Sequence, residues 1–498
     1  MPGRKRKAPA TNAGETAPAK TLVAPTSVTS QPVPEVDQMF GHTTGTIVAP
    51  FFATLNQTNI AANNNKFYRL QLFQDGGKYY VGTHWGRVGE AGQTKVAVQK
   101  DRATAEMEFG RIFESKTGNN WRDRDAFVNR PGKYDLIQID PNAPPSAEPA
   151  SKSAPLAASE LDDLTRDLIE MVFDRDMFKT AMKNLDVDVA KLPLGKLRQS
   201  QIDAGHAVLE QIEAVTTGSE DRNELVQLSS RFFTIIPHSF GRQRPPVIDT
   251  RDSLQKLYDL MAVLSDISLA NNILESTTRG SLHPTDTLYR KLGAKLSLLQ
   301  KTSPEYQTVR AYAEVNGNPW KVVAAWRIDR QDDARRFAAH DAIANRKLLW
   351  HGTEVAVVAA IMKSGLRIMP HSGGRVGRGV YLASLNEKSR MYTRGTNWNG
   401  KHAKVMFLAE AALGREHHIV HDSSWLTHPP AGFDSVVAKG RVDPDPQGST
   451  TLTLDGKTVV VDTGPPRVTP FSHSSFHHSE YLIYDESQHR LRYLVLLE

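Results

Sequence analysis

Cysteine is absent from this chain of 498 residues. Its absence excludes disulfide bonds, thiolate zinc fingers, iron–sulfur clusters and a cysteine nucleophile. Long apolar runs are absent too, since none approaches the roughly 20 residues that a membrane-spanning helix needs. We therefore expect a soluble protein with no membrane partner. The first residues also lack the apolar stretch of a secretory signal, so we do not expect export.

An excess of one charge is also nearly absent. The chain has 61 Lys and Arg residues against 55 Asp and Glu, which gives a formal net charge of +6. This balance permits a polyanionic partner but does not require one. The length is too great for a single hydrophobic core and predicts roughly two to four domains.

Segments rich in proline and alanine divide the chain. Residues 1–40 have this composition without periodicity, which predicts a disordered basic tail. The run RKRK at 4–7 is typical either of a nuclear-import signal, which would place the protein in the nucleus, or of a solvated basic end. A second such segment, residues 141–158, predicts a linker.

Three folded parts are predicted around that linker. Residues 41–140 contain short strands, an Asp-Gly-Gly turn at 75–77 and one helix, which indicates a small β-rich module. Residues 159–280 repeat apolar residues at helical spacing and predict an all-α bundle. Residues 281–498 mix helices with short apolar strands and predict a mixed α/β domain. The predicted fold class is therefore multidomain α+β.

The segment LLWHGT (348–353) places a histidine and a glycine at the end of an apolar strand. His351 would lie at the rim of a sheet, where Gly352 lets a ligand approach the backbone. Taken alone, the pattern also fits a histidine that is simply hydrogen-bonded at a strand end.

The segment GRGVYLA (377–383) has glycines at a turn and then a strand that carries Tyr381. Ser389 and Tyr392 follow three residues apart on a predicted helix, and two aromatic rings so placed can stack on a flat heterocycle. The alternative is that both rings pack in a core. A dinucleotide-binding βαβ motif is rejected, because these glycines open onto a strand and not a helix.

Glu480 stands at the mouth of the apolar strand SEYLIY (479–484). An acid beside so much apolar surface is costly to desolvate unless it has a partner or faces a cleft, so it is a functional candidate; the alternative is an exposed edge acid.

The histidine pairs 417–418 and 477–478 lack acids or thiolates at ligand spacing. Adjacent strand residues also point to opposite faces, so we predict no metal site.

Together these segments resemble the poly(ADP-ribose) polymerase family over nearly all of residues 50–498. LLWHGT, GRGVYLAS and SEYLIYDES are similar to the three strands that carry its His-Tyr-Glu triad. HWGRVGEAGQ resembles the family's WGR domain, and KLPLGKL (191–197) and SSRFFTIIPH (229–238) resemble its regulatory domain. The domains that the resemblance implies are a WGR DNA-binding module at 41–140, a helical regulatory domain at 159–280 and an ADP-ribosyltransferase catalytic domain at 281–498.

The resemblance implies that NAD+ is the substrate and that Glu480, His351 and Tyr381 are the catalytic residues. Glu480 would stabilise the oxocarbenium-like charge that grows as nicotinamide leaves, a contribution typically worth about 3–4 kcal/mol. Tyr381 and Tyr392 would sandwich the nicotinamide ring, and no metal is needed. The resemblance also assigns His351 to a ribose hydroxyl and Gly352 and Ser389 to the nicotinamide amide. Thr353 and Arg367 would lie along the adenosine side of NAD+.

DNA recognition would rest on the module and the tail, because zinc fingers are excluded. The residues that the resemblance assigns to DNA are Trp85, Arg87, Asn65, Lys66 and Tyr134. Trp85 would stack on a sugar or base and the others would bind phosphate and backbone, although Trp85 alone also fits a core tryptophan. Such contacts suit strand breaks or nicks with a terminal phosphate and not a base sequence.

The expected function is DNA-break-activated transfer of ADP-ribose from NAD+ to acceptor proteins, the chain itself included, in DNA damage response and repair. His478 and Arg375 stand where chain-extending members resemble each other in having an aromatic and an apolar residue. We therefore expect mainly single ADP-ribose units. The alternatives are a chain-extending polymerase and a catalytically silent scaffold that binds breaks.

Overall fold

The computed structural model describes most of the chain in seven ranges: residues 35–137, 158–184, 199–217, 221–275, 283–315, 320–368 and 373–498. Residues 1–34 of the predicted tail, residues 141–157 of the predicted linker and the motif KLPLGKL (191–197) lie outside these ranges. Within the ranges, no helix is both long and apolar enough to cross a bilayer.

The first part is an antiparallel five-stranded sheet that packs against one helix. Its elements are β1 (Thr46–Asn59), β2 (Asn64–Asp75), β3 (Lys78–Arg87), β4 (Gln93–Gln99), α1 (Arg102–Thr117) and β5 (Asp135–Leu136), in the sheet order β4-β3-β2-β1-β5. The predicted turn between β2 and β3 is present, with Gly76 and Gly77 at φ values of 53° and 78°, which suit glycine. Phe109 and Phe113 of α1 pack on the sheet core.

Residues 35–40, which composition assigned to the tail, belong to this module. They include a 3-10 helix, Gln38–Phe40, and Asp37 accepts a hydrogen bond from Arg69 in β2. Val36 and Phe40 are buried in a small core with Phe73. The tail assignment therefore ran too far, because composition averages over a long segment and misses two apolar side chains that a sheet can bury.

The second part is the predicted helical bundle. Its described helices are α2 (Asp163–Val172), α3 (Arg175–Asn184), α4 (Gln199–Thr217), α5 (Arg222–Ile235) and α6 (Arg251–Glu275). Asp162 begins α2 and Asp221 begins α5, each accepting a backbone N–H of the first turn. Leu168, Ile212 and Leu264 belong to one hydrophobic core that continues into the third part of the chain.

The third part is built on a mixed sheet. Its elements are α7 (Pro284–Leu292), β6 (Ala294–Leu298), α8 (Pro304–Ala313), β7 (Val322–Arg330), α9 (Asp333–Ala338), β8 (Arg346–Gly352), α10 (Val355–Ser364), β9 (Gly373–Gly374), β10 (Gly377–Arg378), β11 (Val380–Ala383), α11 (Asn386–Arg390), β12 (Thr396–Trp398), β13 (Lys401–Ala412), β14 (Glu416–Ile419), β15 (Ser435–Ala438), β16 (Val442–Pro444), β17 (Thr450–Leu454), β18 (Lys457–Val461), β19 (Pro466–Val468), β20 (Glu480–Ile483) and β21 (His489–Leu497). The main path of the sheet is β14-β15-β20-β11-β8-β13-β21-β7-β6. Most pairs are antiparallel, but β14 and β15 are parallel, which confirms the predicted mixed α/β class.

Sheet register brings the three sequence motifs together. β8, β11 and β20 are neighbours in the sheet, although well over a hundred residues separate the first from the last. Ala383 of β11 pairs with Trp350 on one side and with Glu480 on the other. His351, Tyr381 and Glu480 therefore lie on three adjacent strands.

Candidate functional site

A cavity of about 460 Å³ opens where these three strands meet. Its wall includes all eight residues that the sequence assigned to NAD+ and catalysis: His351, Gly352, Thr353, Arg367, Tyr381, Ser389, Tyr392 and Glu480. This volume lies within the range usual for small-molecule sites.

His351 lies at the end of β8 with a fixed orientation. Its Nδ1 is 3.0 Å from the carbonyl oxygen of Tyr381, and burial lowers the pKa of the imidazole. A neutral ring beside a carbonyl carries its proton on Nδ1, so Nε2 is left to accept a hydrogen bond from a ligand hydroxyl.

Gly352 is required by the close approach of α11. A Cβ atom added at this position would lie 1.8 Å from the carbonyl oxygen of Ser389, so no other residue fits without moving the helix. Ser389 is buried, and its hydroxyl donates to the carbonyl of Trp350 at 3.1 Å. The peptide of Gly352 and the hydroxyl of Ser389 thus form one rigid part of the wall.

The two tyrosines of the wall differ in their surroundings. Tyr381 is held by its hydroxyl, which donates to the carbonyl of Gly377 at 2.8 Å and accepts from the N–H of Val376 at 3.0 Å. Burial raises the pKa of Tyr381, so the phenol stays protonated. Tyr392 is 59% exposed, which excludes the core-packing alternative for that ring and leaves it accessible to a ligand.

Glu480 is buried, with only 5% of its surface exposed, so it is not an exposed edge acid. Its carboxylate is 2.8 Å from the Nζ of Lys388. Burial alone would lower the pKa of Lys388, but the hydrogen bond to Glu480 and the charge of that carboxylate raise it overall. The lysine is therefore a charged partner of the candidate catalytic acid.

Sequence reasoning missed Lys388. Its Nζ also lies 5.4 Å from the ring centroid of Tyr392, four residues later. Two signals were available: the need of a buried carboxylate for a cation, and the spacing of four residues to Tyr392. The sequence placed Tyr392 on a helix, but α11 ends at Arg390 and Tyr392 lies in the turn after it.

The bundle supplies another side of the cavity, through polar and apolar residues of α6. Those in the wall are Gln255, Asp259, Ala262, Val263 and Asp266. Asp266 forms an ion pair with Arg367, which the sequence assigned to NAD+. Burial raises the pKa of Asp266 to about 6, although Arg367 acts in the opposite direction.

A second ion pair joins the bundle to Arg378, the residue before Gly379 of the cavity wall. The guanidinium of Arg378 lies 3.5 Å from the carboxylate of Glu213 in α4, and that carboxylate accepts from the hydroxyl of Tyr258 at 3.1 Å. The sequence could not show either ion pair, because both link distant parts of the chain.

Three of the five predicted DNA residues share one face of the module. Tyr68 pairs with Trp85 and Lys66 with Arg87 across β2 and β3, and directly paired residues of antiparallel strands project to the same side. The rings of Trp85 and Tyr68 are stacked with centroids 6.1 Å apart, and the ring centroid of Tyr134 lies 5.9 Å from that of Tyr68. Trp85 and Tyr134 thus share a common aromatic surface with Tyr68.

Asn65 is on the opposite face, which corrects its assignment to DNA. Adjacent strand residues alternate between faces, so Asn65 cannot accompany Lys66. Its side chain is fully buried, donates to the carbonyl of His238 in the bundle at 2.9 Å and accepts from the hydroxyl of Thr58 at 3.0 Å. Asn65 holds the module against the bundle.

Arg87 also contacts the bundle. Its guanidinium donates to the carbonyls of Gly241 and Gln243, and to that of Asn63 at 3.0 Å within the module. In this structure the residue therefore links the two parts, a role that the sequence did not suggest.

No metal centre accompanies these sites in the described ranges. No group of three or more His, Asp or Glu side chains there is arranged to hold an ion. The chemistry of the cavity is instead that of a carboxylate, an imidazole, two phenols and an ammonium group.

Comparison with known families matches each part of the chain. Residues 51–128 match the WGR domain, residues 159–289 the poly(ADP-ribose) polymerase regulatory domain, and residues 303–498 the poly(ADP-ribose) polymerase catalytic domain. These matches fall in the order that the sequence motifs predicted.

Curated relatives agree with those matches. The chain is 46% identical to the protein mono-ADP-ribosyltransferase PARP3 of Homo sapiens over 463 residues, which cover 89% of this chain and 86% of that protein. It is 45% identical to the protein of the same name from Gallus gallus over 459 residues, with coverage of 89% and 86%. It is also 32% identical to poly [ADP-ribose] polymerase 1 of Gallus gallus, covering 90% of this chain and 45% of that protein.

The similarity to PARP3 agrees with two sequence segments that resemble this type, GLRIMPHSGGRVGRGVY (365–381) and ALGREHH (412–418). The comparisons also support NAD+ as the substrate, because the catalytic domain spans the strands that form the cavity. By its three matched domains and its relatives, the chain belongs to the poly(ADP-ribose) polymerase family and is an NAD+ ADP-ribosyltransferase.

Proposed function

We propose that this enzyme is activated by DNA strand breaks and transfers mainly single ADP-ribose units to proteins, itself included, in DNA damage response and repair. The observation that carries the proposal is the position of α6, which forms a wall of the NAD+ cavity while the same bundle contacts the WGR module. The proposal therefore joins a DNA-binding surface to the active site through one helical domain.

The engagement of Arg367 supports a closed resting state. The resemblance assigns this guanidinium to NAD+, but here it is bound to Asp266 of α6. NAD+ and the bundle thus compete for one side chain, and full occupation of the cavity requires α6 to move. DNA that binds the open state better by a few kcal/mol would shift the equilibrium by a similar amount.

The contact between module and bundle supplies a route for that shift. Arg87 and Asn65 bond the backbone of the bundle segment that leads to α6. Trp85, Tyr134 and Lys66 lie on the face that Arg87 shares, where a break with exposed sugar, base and phosphate would bind. A shift of the module on DNA binding would reach the bundle through the contacts of Arg87.

Chemistry in the cavity follows from the proposed roles of the wall residues. The bond between C1′ of the nicotinamide ribose and the nicotinamide nitrogen breaks, and its electron pair leaves with nicotinamide. Glu480 stabilises the positive charge that develops on the ribose, and an acceptor nucleophile then attacks C1′ and loses its proton. The Lys388 ammonium holds the Glu480 carboxylate in place until NAD+ binds.

Transfer of single units is supported by the acceptor side of the cavity. Arg375 lies over the ring of Phe476 at 4.1 Å and is bonded to Asp422, so a charged group replaces an apolar surface there. His478 is buried two residues before Glu480. Two relatives, at 46% and 45% identity, carry the name protein mono-ADP-ribosyltransferase, which supports the same product.

The proposal is tested by incubating the full chain with labelled NAD+, with and without nicked DNA that carries a 5′ phosphate. We expect a single labelled protein band that grows much faster with DNA. A ladder of slower species would identify a chain-extending polymerase, and binding of DNA without any label would identify a silent scaffold.

A nuclear location is proposed from residues 4–7, and microscopy of a variant with alanine at these positions tests it.

A further inference from the structure

The carboxylate of Asp443 lies between two strands of the active site without belonging to the wall of the cavity. Its Oδ1 accepts a hydrogen bond from the hydroxyl of Ser384 at 2.5 Å, and its Oδ2 accepts from the hydroxyl of Ser479 at 2.8 Å. Ser384 directly follows β11, and Ser479 directly precedes Glu480 of β20. One carboxylate therefore joins the two strands beside the catalytic acid.

The register of the strands makes this position specific. Ala383, the residue before Ser384, is the Cα partner of Glu480. The two hydroxyls bound by Asp443 thus come from residues next to this pair, one on each strand. A change in the separation of the strands at this point would move the Glu480 carboxylate directly.

The backbone that carries Asp443 is also fixed against the segment that leads into β20. The N–H groups of Arg441 and Val442 donate to the carbonyls of Phe476 and His477 at 3.0 and 2.9 Å. The N–H of Gly440 donates to the hydroxyl of Ser479 at 2.9 Å. The Ser479 hydroxyl is therefore held at both ends, since it accepts from Gly440 and donates to Asp443.

Gly440 permits this close approach. A Cβ atom at that position would lie 2.3 Å from the carbonyl carbon of His478, so a side chain would push the segment away from the strand. Ser384 and Ser479 are 0% and 1% exposed, which keeps water from competing for their hydrogen bonds.

The hydroxyls are the direct partners of Asp443, while nearby cations are engaged elsewhere. Lys347 binds Asp462 at 3.0 Å and Lys439 lies 3.5 Å from Glu416. Burial raises the pKa of Asp443, and the two serine hydrogen bonds oppose that effect. Burying a carboxylate costs desolvation free energy. Because Asp443 is nevertheless placed between two buried hydroxyls and accepts from both, we assign it a role in positioning them.

We propose that Asp443 is a positioning residue for Glu480, acting through Ser479 and Ser384 to fix the place of the catalytic carboxylate. Electrostatic stabilisation of a transition state depends on sub-ångström placement, and a displacement of about 1 Å can reduce a rate on the order of 100-fold. Asp443 itself touches no reacting atom. The proposal rests on the ADP-ribosyltransferase activity and not on activation by DNA.

The proposal predicts a change in kcat with little change in KM for NAD+. Gly352 and His351 of the wall lie on β8, which carries neither serine, so NAD+ binding should persist. Glu480 acts as charge develops, so its displacement affects the rate of bond breaking. We expect Asp443→Asn, which keeps the volume of the side chain, to lower kcat by about tenfold or more and to leave KM within about twofold.

The experiment measures nicotinamide release by the full chain, with and without nicked DNA, for the wild type and five variants. Ser479→Ala should resemble Asp443→Asn, and the variant with both changes should be no slower than Asp443→Asn alone, because the two residues act as one unit. Asp445→Asn is the matched control: it lies two residues away, is paired with Arg467 at 3.4 Å, and should leave kcat unchanged. Glu480→Gln sets the lower limit of the rate.

Three results would overturn the proposal. The first is normal kcat in folded Asp443→Asn and Ser479→Ala. The second is a rise in KM with kcat preserved, which would indicate a binding role. The third is a rate loss that only matches the unfolded fraction in thermal melts. If Asp443→Asn does not fold, Ser479→Ala still decides, because it removes one hydroxyl and keeps the carboxylate. Loss of DNA stimulation in the wild type would count against the proposed activation and not against this inference.

Discussion

Reversing the charge of Asp266 should activate the enzyme in the absence of DNA. Its carboxylate binds Arg367 across the boundary between bundle and catalytic domain, with side chains 17% and 31% exposed respectively. Burial of Asp266 already opposes the closed state, and the ion pair with Arg367 offsets this cost. Asp266→Lys removes the attraction and adds repulsion between two cations, so α6 should leave the cavity more often.

The magnitude follows from the charges and their exposure. Two unit charges about 4 Å apart interact by about 4 kcal/mol at an effective dielectric constant of about 20. Changing attraction to repulsion then changes the interaction energy between the two side chains by about 8 kcal/mol. Because both side chains are partly exposed, solvent screening leaves roughly a quarter of this change. The remaining ~2 kcal/mol corresponds to about a thirtyfold shift towards the open state.

The assay is nicotinamide release by the full chain with no DNA and with saturating nicked DNA. We expect the rate without DNA to rise by about thirtyfold, or until it equals the stimulated rate, while the stimulated rate itself stays within about twofold. Asp252→Lys is the control, because Asp252 lies on the same helix but is 82% exposed and paired with Lys256 at the surface. Its rates should match those of the wild type.

Two outcomes would refute the reasoning. A folded Asp266→Lys variant with the resting rate of the wild type would show that the bundle does not restrict the cavity through this contact. An equal rise of both rates would show an effect on the chemistry and not on the closed state.

Other predictions concern the acid, the link to DNA and acid stability. Glu480→Gln should lower kcat on the order of 100- to 1,000-fold while a nicotinamide analogue still binds in calorimetry, and near-normal turnover would contradict the electrostatic role. Arg87→Ala should abolish stimulation by nicked DNA and keep the basal rate, because Arg87 connects the module to the bundle. In fluorescence anisotropy this variant should weaken DNA binding less than Trp85→Ala does. Intact stimulation would exclude Arg87 as the connection between module and bundle. Burial lowers the pKa of His489 to about 3, so the unfolded chain binds a proton that the folded chain refuses as pH falls below about 6.5. His489 should therefore lower the free energy of unfolding by about 1.4 kcal/mol at pH 5.5. The thermal midpoints at about pH 7.5 and 5.5 should differ less in a folded His489→Gln variant than in the wild type.

The sequence predicted the local motifs of the active site well. LLWHGT predicts a strand that ends in glycine, because its apolar run and its glycine lie within six residues. The structure has β8 at this position. The same holds for Tyr381 and Glu480, which stand on short strands with clear apolar patterning. No local pattern predicts that these residues line one cavity; that expectation came from the family resemblance.

Features that depend on distant contacts could not be predicted. Lys388, Asp443 and Asp266 take part through partners that lie 36 to 101 residues away in the chain. Asn65 was misassigned for a different reason: the resemblance assigned it to DNA together with its neighbour Lys66, but alternation along β2 turns Asn65 towards the bundle. Residue type and spacing did not reveal which face of the strand the bundle covers.

The boundary between the module and the bundle relies on side chains of one part bonding to peptide carbonyls of the other. Asn56 donates to the carbonyls of Phe233 and Thr234 at 3.0 Å each, and Arg87 reaches those of Gly241 and Gln243. Replacing the exposed Gln243 removes none of these bonds, because its contribution is main-chain, whereas replacing Asn56 removes two. At these contacts the bundle residues can change while Asn56 and Arg87 stay constrained. The reverse holds where Arg244 of the bundle donates to the carbonyls of Ile60 and Ala61, so each part constrains the sequence of the other only where its partner contributes main chain.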